Sequence, residues 1–382
     1  MTTAIINGRL LLPEEEIHGR TLLFGRTVLA VTEAPPPEGA EIIDARGAYV
    51  APGLVDVHIH GYRGDDVSDG DAEGIRRIAR RLLENGVTCF LPTTMTLPRS
   101  QLETVLSQIR LLMVESREDA FGGAEIAGCH AEGPFLSPAK KGAQAESALQ
   151  APDSAQILPY ADVIRILTFA PELPGAETMI RTLKEKTNIR LSVGHTDATF
   201  DRVMRALSLG ADRFTHLFNA MTPLHHRAPG AVGAALSSDA WTELIADTFH
   251  VDPELFPLLY RIKGERLVLI SDAVRACGLP DGNYTLGGQA FTLRGIECRM
   301  ADGTIAGSVL KLNEAVRNLR DHGQIPMHTA VRCASLNPAA SAGLADRKGS
   351  LLPGKDADVL LMDEKCRVQK VWIRGRTWHA AD

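Results

Sequence analysis

The stretch that decides the fold is GLVDVHIHGY, from Gly53 to Tyr62. It is an apolar run that carries two histidines, His58 and His60, two residues apart. Side chains at positions i and i+2 of a β-strand point to the same side, so both imidazoles would project together, which is how a metal ion is held. A buried strand with two hydrogen-bonded histidines explains the pair equally well when it is taken alone. The rest of the chain has to separate these interpretations.

Apolar and β-branched runs recur along the middle of the chain, separated by segments long enough for a helix and its loops. Repeated βα units of this kind predict parallel strands, and eight of them predict a (β/α)8 TIM barrel. With 382 residues the chain can form such a barrel together with an accessory module. The eight runs are LVDVHIH, VTCFLPTT, EIAGCHAEGPF, VIRILTFAPE, IRLSVGHTD, DRFTHLFNA, ELIADTFHV and RLVLISDA.

Two of the intervening segments carry clear helix signals. AEGIRRIARRLLENG has apolar residues at helical spacing and ends at Gly86, a natural residue for closing a helix. DATFDRVMRALSLG repeats the pattern, with Asp197 or Thr199 as the N-cap and Gly210 at the end. Short β-rich runs separated by turn signals occupy both chain ends, which predicts that the two ends form one β-module.

Composition excludes several classes of function. The net charge of -6 is mild, and no basic run offers a surface for nucleic acid. We expect no membrane attachment, because no apolar run approaches spanning length and the start lacks the pattern of a signal peptide, so the predicted location is the cytoplasm. The six cysteines are scattered without CxxC pairs, so a metal site would have to use imidazoles and carboxylates.

Residues that can bind a metal or transfer a proton fall where the predicted strands end. The catalytic groups of a TIM barrel lie at the C-terminal ends of its strands, where the βα loops converge. A lone His195 or His216 would more often be a core histidine with satisfied hydrogen bonds, but the same placement at six strands is hard to attribute to chance. The residues are His58, His60, Glu132, His195, His216, His250 and Asp272.

Imidazoles and carboxylates that converge on one barrel mouth form the ligand set of Zn²⁺ or Fe²⁺. A divalent cation with an open coordination position acidifies water and polarises a carbonyl group, which predicts a hydrolase. A further carboxylate must accept the proton of the water and return it to the leaving group. Asp272 at the end of the last strand is the candidate, and a structural cap for the following loop is the alternative role.

The order HxH, Glu, His, His and Asp on strands one, three, five, six and eight resembles the metal-dependent amidohydrolase superfamily. Within it, the segments HAEGPFLSPAKKGA, VGHTDAT, THLFNAM, GTIAGS and GKDADVLLMD resemble the N-acetylglucosamine-6-phosphate deacetylase family over nearly the whole chain. HAEGPF and THLFNAM are specific to that family. The resemblance implies a (β/α)8 barrel at residues 51–345 and a small β-sandwich domain formed by both termini, residues 1–50 and 346–382.

The resemblance also implies a reaction and its metal. The reaction is removal of the acetyl group from N-acetylglucosamine 6-phosphate, with Asp272 as general base and acid. The cofactor would be Zn²⁺, or alternatively Fe²⁺, with one or two ions per subunit and Glu132 as the bridging ligand. The implied ligands are Glu132, His195 and His216 for the principal ion, and His58 and His60 for a second.

A phosphate dianion needs cationic groups and N–H donors. By resemblance, Asn219 and the backbone of Ala220 would contact the phosphate, and His250 would contact the sugar. Arg227 would reach the phosphate of a neighbouring subunit, which implies a homodimer, although a single loop arginine is more often a solvated charge.

Relatives commonly carry a histidine where this chain has Gln144, which can donate and accept hydrogen bonds but has no positive charge. Sugar recognition is therefore left open at this position. The loop from Pro134 to Asp153 is rich in small and polar residues, and it is predicted to act as a lid.

Three other functions stay open at this point. A different sugar, such as N-acetylgalactosamine 6-phosphate, differs in the orientation of one hydroxyl group. Another amidohydrolase could act on a cyclic amide or an N-acyl amino acid, which the phosphate-directed residues argue against. A metal-free binding protein could have kept the barrel and lost catalysis, but the complete set of ligand and acid/base residues disfavours it.

Overall fold

A computed structural model describes residues 2–378. The N-terminal part is built from short strands, most of them joined by tight turns. Strands β1, β4, β5 and β6 form one sheet in the order β5-β4-β1-β6, whereas β2, β3 and β7 belong to another. The strands are β1 (Thr3–Ile6), β2 (Arg9–Leu11), β3 (Glu16–Ile17), β4 (Thr21–Phe24), β5 (Val28–Thr32), β6 (Glu41–Asp44) and β7 (Tyr49–Pro52).

The middle of the chain forms a parallel barrel. Strand β11 pairs with β8 on one side and β13 on the other, and parallel pairing continues in chain order to β18. Each of the eight predicted runs contains or overlaps one of these strands, so the predicted TIM barrel is confirmed. The strands are β8 (Leu54–Ile59), β9 (Gly61–Tyr62), β10 (Asp65–Asp66), β11 (Val87–Thr94), β12 (Glu125–Ile126), β13 (Cys129–Glu132), β14 (Ile164–Phe169), β15 (Arg190–Val193), β16 (Arg213–Phe214), β17 (Trp241–Ile245) and β18 (Leu267–Ile270).

Backbone hydrogen bonds close the barrel between its first and last strands. The amide of Asp272 donates to the carbonyl oxygen of His58 at 2.9 Å. The amide of His60 donates to the carbonyl oxygen of Ala273, also at 2.9 Å. Every residue of β8, β11 and β18 is buried, as expected for parallel strands covered on both faces. Closure therefore brings Asp272 directly beside the HxH pair, although the two lie more than two hundred residues apart in sequence.

Helices surround the barrel, and the two predicted helices are present. The first ends in a 3-10 turn at Gly86, which has φ 77°, and the second starts at Thr199, whose hydroxyl accepts from the Arg202 amide, so Thr199 rather than Asp197 is the cap. The helices are α1 (Ala72–Leu82), α2 (Arg99–Glu115), α3 (Ser154–Ile157), α4 (Ala176–Lys186), α5 (Phe200–Leu209), α6 (Gly230–Leu236), α7 (Phe256–Lys263), α8 (Leu312–Gly323), α9 (Met327–Cys333) and α10 (Leu336–Ser341).

A small antiparallel sheet that the sequence analysis did not predict follows the last barrel strand. It consists of β19 (Gly282–Leu286), β20 (Gln289–Arg294) and β21 (Glu297–Arg299). Its buried side packs with Met95 and Ala143 in a separate apolar cluster. The sheet therefore forms one wall above the mouth of the barrel.

The C-terminal strands return to the N-terminal module. They are β22 (Val359–Met362), β23 (Val368–Ile373) and β24 (Arg376–Trp378), and β22 pairs with β7 in a sheet of order β24-β23-β22-β7-β2-β3. Phe24 from one sheet meets Trp372 from the other in an apolar core that both chain ends supply. Both ends thus form one β-module, as predicted. The boundaries at residues 50 and 345 stay a prediction.

A buried ion cluster joins the barrel to this module. The ammonium of Lys348 lies 2.8 Å from Glu125 in β12 and 2.9 Å from both Asp356 and Asp358, and Lys348 is 1% exposed. Arg347 adds a second contact to Glu125 at 2.7 Å. Among residues 2–378, no helix combines the length and apolar character needed to cross a membrane.

Candidate active site

The metal-binding residues predicted from the sequence come together at the C-terminal mouth of the barrel. His58 lies within β8, Glu132 ends β13, and the others follow their strands by one or two residues. His195, His216 and Asp272 have positive φ angles of 47°, 29° and 48°, a conformation that non-glycine residues seldom adopt and that clusters at functional sites. The backbone is thus bent to turn these side chains inward.

Glu132, His195 and His216 form the first group. Oε1 of Glu132 lies 3.2 Å from Nε2 of His195 and 3.0 Å from Nε2 of His216, and the two nitrogens are 3.1 Å apart. Nδ1 of His195 faces the carbonyl oxygen of Lys140 at 2.9 Å, so the ring proton belongs on Nδ1 and Nε2 presents a lone pair. Lone pairs directed at one point are the arrangement that a cation requires.

His58, His60 and Asp272 form the second group. Nε2 of His58 and Nε2 of His60 are 3.3 Å apart, and Oδ1 of Asp272 lies 3.4 and 3.2 Å from them. Nδ1 of His60 faces the carbonyl oxygen of Thr93, and Nδ1 of His58 faces a carboxylate oxygen of Glu243. Both imidazoles therefore also present Nε2 to the centre.

Glu132 connects the two groups. Its Oε1 lies 3.4 Å from Nε2 of His58, and its Oε2 lies 3.4 Å from Nε2 of His60. One carboxylate thus reaches both positions, as the bridging role requires. The donor atoms of each group all lie within 4.8 Å of one another, and nitrogen with carboxylate oxygen is the donor set that suits Zn²⁺ or Fe²⁺.

Electrostatics also favour a cation at this mouth. Burial works against a charge on His58, yet the carboxylates of Glu132 and Asp272 outweigh it and hold the pKa of the imidazole well above its usual range. Burial likewise opposes charge on Glu132, but His58 and His195 hold its pKa well below the usual range. The carboxylates are ionised at neutral pH, so positive charge must accompany them, on imidazoles or on a metal ion.

Two buried charged residues that hold His58 in place were not predicted from the sequence. Glu243 in β17 lies 3.0 Å from Nδ1 of His58, accepts from the His216 amide at 3.2 Å, and is paired with Arg213 at 2.7 Å. Neither Glu243 nor Arg213 is exposed. A charged residue inside an apolar run was the available signal, but its partner lies in another strand and cannot be read from local pattern.

His130 lies close enough to His58 and Glu243 to form a third group of donor atoms, but its hydrogen bonds make it a core residue. Its Nδ1 faces the carbonyl oxygen of Val57 at 2.9 Å, and its Nε2 accepts from the Thr168 hydroxyl at 2.7 Å, so both ring nitrogens are engaged. Burial, with a contribution from the neighbouring His58, lowers its pKa to about 3, so the ring is neutral. His130 is therefore a core histidine with satisfied hydrogen bonds, and the histidines of the two groups do not fit that description.

Asp272 is held by the segment GTIAGS. The amide of Ser308 donates to the carbonyl oxygen of Asp272 at 2.8 Å, and the amide of Val274 donates to that of Ser308 at 3.0 Å. Gly307 has φ 59°, and a Cβ there would lie 2.5 Å from the Val274 side chain. The glycine lets this segment pack closely enough to fix the loop that carries Asp272.

A cavity of about 310 Å³ opens above the two groups. Asn219, Ala220 and His250 line it, and so does Lys140, which the sequence analysis did not single out. Ala220 has φ 51°. The other lining residues that matter for chemistry are His60, Glu132, Gln144, His195, His216 and Asp272.

Unlike the predicted metal ligands, His250 and Arg227 lie several residues beyond the ends of their strands. His250 follows β17 by five residues and is held by Asp247, whose Oδ2 lies 2.6 Å from Nδ1. Arg227 is exposed on a loop, with Nη1 2.7 Å from Nε2 of His226, and it does not line the cavity of its own chain. Within one subunit the structure does not bring Arg227 to the site.

The predicted lid is a folded segment with two 3-10 turns, Pro138–Lys140 and Glu146–Ala148. It contacts two of the first-group ligands, because Lys140 holds His195 and the buried Gln144 amide reaches Glu132. Gln144 is 3% exposed. The residue for which the sequence analysis gave no firm role is therefore in direct contact with the bridging carboxylate.

The chain is similar to known proteins over almost all of its length. A family model described as the amidohydrolase family matches residues 49–378. An N-acetylglucosamine-6-phosphate deacetylase of Bacillus subtilis (strain 168) is 39% identical over 358 residues, covering 92% of this chain and 90% of that protein. An N-acetylgalactosamine-6-phosphate deacetylase of Escherichia coli O157:H7 is 36% identical over 380 residues, covering 98% of this chain and 99% of that protein.

The solved structures agree. A mutant N-acetyl-D-glucosamine-6-phosphate deacetylase from Mycobacterium smegmatis, in complex with N-acetyl-D-glucosamine-6-phosphate, matches with a TM-score of 0.89 at 31% sequence identity. The match covers 98% of this chain and 99% of that one. Both the barrel and the terminal β-module therefore recur in a protein crystallised with an amino-sugar phosphate.

Proposed function

The chain belongs to the amidohydrolase family, and from this premise we propose that it is a metal-dependent hydrolase that converts N-acetylglucosamine 6-phosphate and water into glucosamine 6-phosphate and acetate. The proposal rests on the position of Glu132 at the base of the cavity. Its carboxylate lies within 3.4 Å of imidazole nitrogens in both groups. The relatives' names support the substrate.

We assign Glu132, His195 and His216 to the principal metal position, and His58 and His60 to a second. A divalent cation bound there would polarise the acetamide carbonyl and lower the pKa of a water molecule. Zn²⁺ is the proposed ion, and Fe²⁺ is the alternative, because both accept nitrogen and carboxylate ligands. The protein's contribution is to hold the Nε2 lone pairs in place through the carbonyl oxygens of Lys140 and Thr93.

Asp272 is the proposed general base and acid. Its pKa is lowered because the imidazoles of His58 and His60 outweigh the effect of burial, so the carboxylate is ionised and ready to accept a proton from water. Asp272 lines the cavity, where it can then return that proton to the departing amine. The network through Ser308 fixes its backbone, so the carboxylate does not have to be ordered at each turnover.

Asn219, the backbone of Ala220 and His250 are assigned to the sugar phosphate. All three line the cavity, and Asp247 fixes the His250 ring by accepting from Nδ1, which leaves Nε2 for the ligand. Ala220 has a left-handed backbone at the cavity wall, and its carbonyl oxygen accepts from the Thr196 amide at 3.0 Å, so its N–H is the peptide group assigned to the phosphate. Arg227 is assigned to the phosphate bound by a neighbouring subunit, which makes a homodimer the proposed assembly, and its exposed position on a loop is compatible with that.

The experiment that tests the function is an acetate-release assay on N-acetylglucosamine 6-phosphate, combined with elemental analysis of the protein. We expect stoichiometric acetate and glucosamine 6-phosphate, loss of turnover after exhaustive chelation, and recovery on addition of Zn²⁺. Cleavage of N-acetylglucosamine as fast as of its 6-phosphate would contradict the phosphate assignments. Full turnover after chelation would contradict the metal mechanism.

A second candidate substrate is N-acetylgalactosamine 6-phosphate. It is favoured by the 36% identity to the Escherichia coli O157:H7 protein, which extends over 98% of this chain. The two sugars differ at one hydroxyl group, and a site that hydrogen-bonds such a group can discriminate strongly. Values of kcat/KM for both sugars, measured side by side, decide between them.

A cytoplasmic location is also proposed. The six cysteines are free and buried, and no two of them are joined in a disulfide in the described part of the chain. This is the usual state of thiols in a reducing compartment. Fractionation of the native host, followed by detection of the protein with an antibody, would test the assignment.

A further inference from the structure

The side chain of Gln144 is fixed at both ends of its amide group. Its Oε1 accepts from the backbone amide of Thr96 at 2.7 Å, and a backbone N–H can only donate. The NH₂ end must therefore face Oε2 of Glu132, which lies 2.6 Å from Nε2. This hydrogen bond to a charged acceptor is buried, because Gln144 is 3% exposed and Glu132 is 2% exposed.

The two oxygens of Glu132 consequently have different surroundings. Oε1 faces the Nε2 atoms of His58, His195 and His216, and any proton on these nitrogens is released when the imidazoles bind a cation. Oε2 faces Nε2 of His60 and also receives the N–H of Gln144. The N–H of Gln144 stays on Oε2 when a cation binds, whereas every partner of Oε1 is an imidazole that can itself become a ligand.

The same loop supports the first group in a second way. The carbonyl oxygen of Lys140 holds Nδ1 of His195, and the amide of Ser137 donates to the carbonyl oxygen of His195 at 2.9 Å. Two of the three ligands of the first group are therefore positioned by the segment from Ser137 to Gln144. The second group receives its support from Thr93 and Glu243, which belong to the barrel and not to this loop.

We propose that Gln144 is a positioning residue that makes the two cation positions unequal, so that the position formed by Glu132, His195 and His216 fills first and the position formed by His58, His60 and Asp272 binds its ion more weakly. The inference rests on the metal ligands assigned under the proposed function. It adds an order of binding and names the residue that sets that order.

A stepwise zinc titration of the metal-free protein, in competition with a chromophoric chelator, tests the order. We expect two steps whose dissociation constants differ by at least about tenfold, the size of effect that partners of metal ligands commonly have. His60→Asn should remove the weaker step and keep the tighter one. Equal constants in the unaltered protein would overturn the inference, and so would loss of the tighter step in His60→Asn.

Two variants then test Gln144 itself. Gln144→Glu keeps the shape and the acceptor for Thr96 but replaces the N–H donor by an oxygen that can serve the second ion, so we expect the weaker step to tighten by about tenfold or more. Gln150→Glu makes the same chemical change on the same loop, away from Glu132, and should match the unaltered protein. An unchanged gap between the two steps in Gln144→Glu would contradict the assignment.

The outcomes for this inference and for the proposed function are distinguishable. If Gln144→Glu does not fold, the titrations of the unaltered protein and of His60→Asn still decide the order of binding. Equal affinities together with normal acetate release would refute the inference and leave the proposed function intact. A protein that binds no zinc and still releases acetate would refute both the metal assignment and the inference.

Discussion

The guanidinium of Arg213 lies 2.7 Å from Oε1 of Glu243, and neither side chain is exposed. The other oxygen of Glu243 lies 3.0 Å from Nδ1 of His58, so this ion pair inside the barrel is connected directly to the HxH pair. Burial raises the pKa of Glu243, but His58 and Arg213 together reverse that effect and hold it well below the usual range.

Arg213→Met should destabilise the protein strongly, because it leaves the Glu243 carboxylate buried without its guanidinium partner. Breaking a buried pair from one side costs about 3–5 kcal/mol. Urea denaturation measures the loss. Arg99→Met is the matched control, since the pair of Arg99 and Glu103 is exposed and should contribute less than about 1 kcal/mol. Equal effects of the two substitutions would contradict the structural role given to Arg213.

Asp272→Asn should abolish most turnover and leave the principal ion in place. The amide cannot accept a proton, and general acid–base catalysis contributes about 10²- to 10⁴-fold to rate. The assay is kcat for acetate release together with zinc content by elemental analysis. A variant that keeps normal kcat would show that Asp272 is only a cap for the following loop, and loss of all zinc would show that its main role is ligation.

Arg227→Ala and Asp272→Asn should complement each other in mixed dimers. In a hybrid dimer one site keeps its own Asp272 and receives Arg227 from the partner, whereas the other site lacks both groups. Random mixing would therefore restore about a quarter of the sites of the unaltered protein. The measurement is acetate release, at a substrate concentration where Arg227→Ala alone turns over little, after the two variants are unfolded together and refolded. No recovery in a sample that is dimeric would contradict the contribution across the interface.

Acid should weaken the connection between the barrel and the β-module through Glu125. Burial opposes charge on Glu125, but Lys348 and Arg347 outweigh it and lower its pKa to about 2. Because the folded pKa lies below the unfolded one, the stabilisation is complete above about pH 4.5 and is lost as the pH falls toward 2. The shift corresponds to about 3 kcal/mol.

Urea denaturation between pH 7 and pH 2 checks this dependence with Glu125→Gln. We expect the unaltered protein to lose its advantage over the variant as the pH falls through that window. Glu103→Gln, which changes an exposed carboxylate, provides the control. A difference between the unaltered protein and Glu125→Gln that stays constant down to pH 2 would contradict the predicted role of Lys348 and Arg347.

The sequence predicts the barrel because its signals are local. Strand alternation puts His58 and His60 on one side, and the chain order of the βα units is enough to bring Glu132, His195 and Asp272 to one mouth. The positions of these residues can be predicted without knowing which distant segments are in contact. They follow from the period of each strand and from the rule that the C-terminal ends of parallel strands converge.

The residues that the sequence analysis missed depend on contacts between distant segments. Glu243 and Arg213 are thirty residues apart, and only the pairing of β16 with β17 makes them neighbours. Gln144 acquires its role from Thr96 and Glu132, in two other parts of the chain. The sheet of β19–β21 did have a local signal, because the two glycines at Gly287 and Gly288 mark a hairpin turn between alternating strands.

The two proposed ion positions depend together on one residue, because Glu132 contacts the histidines of both. Substitution of this single residue would disable both, whereas a lineage that lost His58 and His60 would keep Glu132, His195, His216 and the proton acceptor Asp272. Mutational drift can therefore alter either pair of histidines separately, whereas Glu132 has to stay for as long as either ion is used.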